Sequence, residues 1–162
     1  MKKLQTILLG AGIAVLAQPA MSATTSTTMA VTATVTSSCI VVATPVVFGS
    51  YDPTSATDTA ATGTITVTCT TGTAYKVGLN AGTASGATVT TRKMLNGANL
   101  LSYGLYQDLS HSTNWGNTPG TDTVNKTATV TPDVITVYGL APKQQNVVAG
   151  AYADTVNVTV NY

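Results

Sequence analysis

The chain has 162 residues, with seven basic and six acidic side chains, one histidine and two cysteines. So few charges, nearly balanced, exclude a basic face for nucleic acid or anionic lipid. Every acid is an aspartate, threonine takes about a fifth of the chain, and valine, alanine and glycine follow, a vocabulary of strands and turns rather than helices.

The first segment reads as a leader rather than as part of the fold. Lys2 and Lys3 precede an apolar run from Ile7 to Ala17, and small residues surround Pro19 between Gln18 and Ala23. This is the pattern of a secretory signal peptide over residues 1–22, cleaved after Ser22 or Ala23. A membrane anchor needs about 20 apolar residues, more than this run supplies. Cleavage removes two of the seven basic residues, so five basic minus six acidic leaves a charge of −1.

Short alternating runs then follow one another, which is the period of half-buried strands. Thr27 to Val35 places Met29, Val31, Ala33 and Val35 on one face. Cys39 to Val42 and Val46 to Phe48 come next, the second led by Pro45, which argues for an edge. Asp52 to Thr62 reads as a surface loop. Gly63 to Thr70 points Ile65, Val67 and Cys69 inward, and Tyr75, Val77 and Leu79 repeat the pattern, as do Leu101, Tyr103 and Leu105. Ser110 to Asn125 reads as a second loop, rich in Ser, Thr, Asn and Gly, whose Trp115 either folds back as a lid on the core, the favoured reading, or faces a partner. Ile135 and Val137 mark another strand, and Tyr152, Asp154, Val156, Val158, Val160 and Tyr162 share one face of a strand that runs to the last residue. Seven or more such strands without a helix, and no composition break, predict one antiparallel β-sandwich domain.

Two cysteines allow one intramolecular pairing, Cys39 with Cys69, against the alternative of a free pair. An exported protein meets oxidising conditions, and a bridge closing a loop of this length contributes about 3.5 kcal/mol in the chain-entropy model.

Candidate chemistry is thin. His111 lies in a loop of Ser, Thr and Asn, and a lone loop histidine is ordinarily just solvated. Asp52, Asp58, Asp108, Asp122, Asp133 and Asp154 are scattered beside turn residues, where aspartate normally bonds its own backbone. No clustered oxygen ligands for calcium and no glycine-rich phosphate loop appear, so no enzyme, metal or cofactor is expected.

The stretches CIVVATPVVFGSYDP, GTITVTCTTG, RKMLNG, LSYGLYQD, the Trp115-Gly116 pair and AGAYADTVNVTVNY run in order over the mature chain. Together they resemble the spore coat protein U domain family, which includes subunits of archaic, Csu-type chaperone-usher pili. The resemblance implies an incomplete immunoglobulin-like sandwich that lacks its last strand. A periplasmic chaperone would fill the gap during export, and at an outer-membrane usher the N-terminal strand of the next identical subunit would replace it, a form of β-augmentation. Residues 23–38 would then be the donor segment, with Met29, Val31, Ala33 and Val35 entering the groove, and residues 39–162 the sandwich. Tyr152, Val156, Val158, Val160 and Tyr162 would form the groove's C-terminal strand, and the Cys39–Cys69 bridge would tie the first sandwich strand to the second. The polymer would be a surface fibre serving attachment and biofilm formation. The competing expectation is a secreted β-sandwich binding module or spore-coat protein that does not polymerise, in which the N-terminal strand completes its own sandwich.

Overall fold

The computed structural model describes residues 21–162, so all but the end of the signal-peptide reading lies outside the described residues. Residues 21–34 and 35–162 are two separate units. In the first, every described residue is exposed and none belongs to a strand. Thr27 to Val35, expected as a strand from its alternation, therefore forms no ladder, because alternation supplies a face but not a neighbouring backbone to bond.

The second unit holds eight strands and, among the described residues, no helix. They are β1 (Cys39–Ala43), β2 (Thr59–Cys69), β3 (Ala74–Leu79), β4 (Arg92–Asn96), β5 (Asn99–Tyr106), β6 (Val124–Thr127), β7 (Asp133–Ala141) and β8 (Val158–Asn161). One sheet has five strands in the order β1-β2-β7-β5-β4, the other three in the order β6-β3-β8, and every pairing is antiparallel. The result is the all-β sandwich that the alternation predicts.

The register explains which side chains meet. In β2, Ile65 and Val67 lie opposite Ile135 and Asp133 of β7, and in β3, Val77 lies opposite Val124 and Val160. Ile65, Val67, Tyr75, Val77, Leu79, Tyr103, Leu105, Ile135, Val137 and Trp115 form a single buried cluster between the sheets. Cys39 faces Cys69 across the β1–β2 ladder, and the two form a disulfide.

Three local expectations change, and one strand appears where none was expected. β2 begins at Thr59, inside the segment read as a loop, because residues 59–62 pair with β7 from Tyr138 to Ala141. The RKMLN stretch is a strand, β4, joined to β5 by a two-residue hairpin loop whose Gly97 has φ +60°, a left-handed conformation that suits glycine. Val46 to Phe48 is not a strand, although both residues pack on the core. Only Val158–Asn161 of the terminal run forms a ladder strand, since the stretch before it leaves β3 and Ala153 pairs instead with Leu95 of β4.

Candidate functional site

The two sheets do not match in width, and the site follows from that. Five strands expose a broader inner face than three can cover. The last strand of the narrow sheet, β8, pairs with β3 on one side and, among the described residues, has no partner on the other. Beside it lies an apolar groove of about 1150 Å³. Its floor includes Ile65, Leu101, Tyr103, Leu105 and Val137 from the wide sheet, its rims residues 43–51 and 147–158.

The first rim is a strap rather than a strand. Thr44 still bonds the sheet, its amide donating to the Thr64 carbonyl at 2.8 Å and its hydroxyl accepting from the Thr64 amide at 2.8 Å. Beyond it the chain lies across the inner face of β2 and β7, where two glycines make room. A Cβ on Gly63 would stand 2.9 Å from the Thr44 carbonyl and Val46 Cγ2, and one on Gly139 would stand 2.8 Å from Val46 Cγ1 and 2.9 Å from Phe48 Cζ. Real Cβ atoms do not approach so closely, so the strap needs glycine below it. Phe48 meets Tyr103 edge to face, with ring centroids 5.9 Å apart. Tyr51 ends the strap, its hydroxyl donating to the Pro142 carbonyl at 2.6 Å and accepting from the Gln145 amide at 2.9 Å.

Gln145 holds the start of the second rim by imitating a strand residue. Its side-chain oxygen accepts from the Ser102 amide and its side-chain nitrogen donates to the Ser102 carbonyl, both at 2.8 Å. Farther along, Asp154 accepts from the Thr83 amide and hydroxyl at 2.8 Å each, from the Thr155 amide at 2.8 Å and from the Tyr103 hydroxyl at 2.7 Å. Burial pushes the Asp154 carboxyl up, but the bonds from Thr83, Tyr103 and Thr155 outweigh it and hold the group below its ordinary value. Burial, and then Asp154 itself, push the Tyr103 hydroxyl up. Asn80 adds a further tie, its side-chain oxygen accepting from the Asn157 amide at 2.9 Å.

The opposite seam is closed by the chain itself. Trp115 is fully buried, as the lid reading expects. Its amide donates to Leu105 of the wide sheet at 2.9 Å and its indole nitrogen to Val77 of the narrow sheet at 2.9 Å, while Gly116 accepts from the Leu79 amide at 2.8 Å. Arg92 is equally buried and spends its fork on backbone carbonyls: Asn80 at 2.8 Å, Val89 at 2.6 Å, Leu79 at 2.8 Å and Trp115 at 2.7 Å. Burial lowers the guanidinium from its ordinary value, opposed by Tyr103, Asp154 and Asp122. This clamp was invisible as a signal, because an arginine one residue into a strand pattern looks like a surface charge.

The expected site residues separate as follows. Tyr152, Val156 and Val158 line the groove, with Val158 at the start of β8. Val160 is half-buried against the core opposite Val77, and Tyr162 is exposed beside Lys76 and Lys126 on a different surface. Met29 and Val31 are each 87% exposed and Val35 is 81% exposed, with Ala33 exposed between them. Asp52, Asp108 and Asp122 bond nearby amides as turn aspartates do, at Thr54, at Ser112 and Thr113, and at Thr118. Asp58, Asp133 and Asp154 depart from that reading and bridge distant segments, Asp58 accepting from the Lys143 amide and Asp133 from Tyr75 and Lys126. His111 packs edge to face on Tyr106, ring centroids 5.2 Å apart. Among the described residues no three acidic, histidine or cysteine side chains cluster as metal ligands. What the arrangement can do is receive an extended apolar segment.

Comparison with known proteins agrees with this architecture. Protein U of Myxococcus xanthus is 36% identical over 126 residues, which is 71% of this chain and 70% of that protein. Among solved structures, a chain of the CsuC-CsuE chaperone-tip adhesion subunit pre-assembly complex, from archaic chaperone-usher Csu pili of Acinetobacter baumannii, superimposes with a TM-score of 0.56 at 23% identity. The match covers 80% of this chain and only 40% of that one, and at this identity it speaks for the fold. The Spore Coat Protein U domain matches residues 25–159. With nearly the whole described chain inside that match, the protein belongs to the Spore Coat Protein U domain family.

Proposed function

We propose that the protein is a structural subunit of a chaperone-usher pilus, and that it polymerises when the N-terminal segment of one copy enters the groove of another. The observation that carries this reading is the apolar groove that runs between its two rims beside the free edge of β8. An entering strand there gains main-chain bonds from the β8 edge and buries apolar side chains on Leu101, Tyr103 and Leu105. Met29, Val31, Ala33 and Val35 have the alternation such a strand needs, and their full burial contributes on the order of 5 to 8 kcal/mol. Threonines at 28, 32 and 34 face the other way, toward water.

Groove and donor are different surfaces of one chain, so the contact is heterologous and repeats into an open filament. A chaperone strand occupies the same groove before assembly, and an usher exchanges it for the next subunit's donor. The fold likeness to a chain from a chaperone-subunit complex supports the chaperone as partner. Export through the periplasm, display as a surface fibre and a role in attachment and biofilm formation follow from that assembly. The chemistry is passive: the subunit binds and holds.

The test is an unheated SDS gel of protein from cells carrying the export machinery, beside a variant lacking residues 23–35. A ladder that collapses to monomer on boiling and is absent from the variant is the expected result. A single monomer band from the full chain, with the shortened variant unfolded, means that the segment completes its own sandwich and ends the polymer reading.

A further inference from the structure

The outer face of the wide sheet is a surface not accounted for above. Along β1, Ile40 and Val42 are 68% and 66% exposed, and across the ladder Val42 stands opposite Thr66, which stands opposite Val134, itself 64% exposed. Between these apolar groups the outward residues of β2 are mainly threonines, those of β7 are Val134, Thr136, Tyr138 and Leu140, and no charged side chain points outward from β1, β2 or β7. An uncharged sheet face carrying three exposed branched residues is the composition of a contact surface rather than of a solvated one.

The covalent structure says what reaches it. Only Thr36, Ser37 and Ser38 separate Val35 from Cys39, where β1 starts. Four Cα steps at about 3.5 Å each span at most about 14 Å. If Val35 sits in the groove of a preceding copy, that copy's surface lies within this reach of β1, and Ile40 is the first outward residue it meets. We infer that the outer face of β1, β2 and β7, centred on Ile40, Val42 and Val134, packs against the preceding copy of the same chain and stiffens each joint of the filament. This rests on the donor-strand reading and adds to it a second contact, which sets the angle between subunits. Threonines suit such a joint, because their hydroxyls remain bonded to water or to the neighbour as it tilts.

The experiment compares wild-type filaments with the Ile40→Lys/Val42→Lys double variant and with Val134→Lys. All three positions are exposed, so the fold should survive, and circular dichroism with a thermal melt checks this. Should the lysine pair impair folding, Ile40→Thr/Val42→Thr keeps the strand propensity and removes the apolar contact. The expected result is an unheated ladder like that of wild type, because strand exchange is untouched, with a persistence length in negative-stain images reduced at least threefold. A normal ladder with unchanged filament shape overturns the inference and leaves the pilus reading standing. A ladder lost from folded variants assigns the face to an export partner and overturns it as well. No ladder from the wild type overturns the pilus reading itself, and the joint with it.

Discussion

The two seams of this sandwich are built from similar sequence and finish differently. On one side Trp115 and Arg92, both fully buried, bind both sheets. On the other, Val156 and Val158 alternate as regularly as Leu101, Tyr103 and Leu105 but remain half-buried, because no strand of the sandwich lies beyond β8. A valine contributes fully only when something covers it. The closed seam therefore carries the stability of the subunit, and the open one is where further stability must arrive from outside.

A large effect is expected at the clamp. Arg92→Ala leaves the carbonyls of Leu79, Asn80, Val89 and Trp115 without their donor, and should cost about 3 to 4 kcal/mol in urea unfolding of the disulfide-intact subunit. Arg92→Lys should recover less than half of this, since one ammonium cannot span the same fork. If Arg92→Ala costs under about 1 kcal/mol, the seam is not held by this residue.

The contrast between seams sharpens with a matched pair of truncations. Leu105→Ala, in the floor, should cost about 2 to 5 kcal/mol, and Val158→Ala, on the rim, about 1 in the isolated subunit. A peptide of residues 25–36 at a hundredfold excess over its Kd should stabilise wild type by about 2.7 kcal/mol. Val158→Ala should weaken that peptide's binding, and equal peptide binding to both proteins would mean that β8 is not the receiving edge.

The smallest effect is a pH dependence. Asp154 is held below its unfolded value by hydrogen bonds, so its contribution to stability is present above the unfolded pKa of about 3.9 and is lost as pH falls through the lower folded value. The stability gap between wild type and Asp154→Asn should therefore be constant near neutrality and shrink below about pH 4. A gap independent of pH down to about 2 would mean that shape rather than charge holds the Thr83–Tyr103 tie.

Much of this was legible in the residues because β-structure writes its period locally. Ile65 and Val67, Tyr75 to Leu79, Leu101 to Leu105, and Ile135 with Val137 are all inward where alternation puts them. Trp115 was legible as a lid because a large apolar group in a polar loop has few other uses. Alternation misled at Val46–Phe48, and at Thr27–Val35 it marked a face without a ladder in the single chain, since it reports a face and is silent on whether a partner backbone exists. It missed β4, where the buried arginine breaks the apolar pattern, and the strap, whose only signals were Gly63 and Gly139 inside strands. Asp154 looked like a turn aspartate because its partners, Thr83 and Tyr103, are 71 and 51 residues away.

By itself the sequence determined the all-β class, most strand faces, the single possible disulfide and the family, because side-chain period and motif order are properties of neighbouring residues. The tertiary structure alone decided that five strands face three, that one seam is clamped by Arg92 and the other left open, and which of the terminal residues reach the groove. Those are matters of which distant backbones pair, and pairing is settled by the packing of the whole sandwich rather than by any one stretch of it.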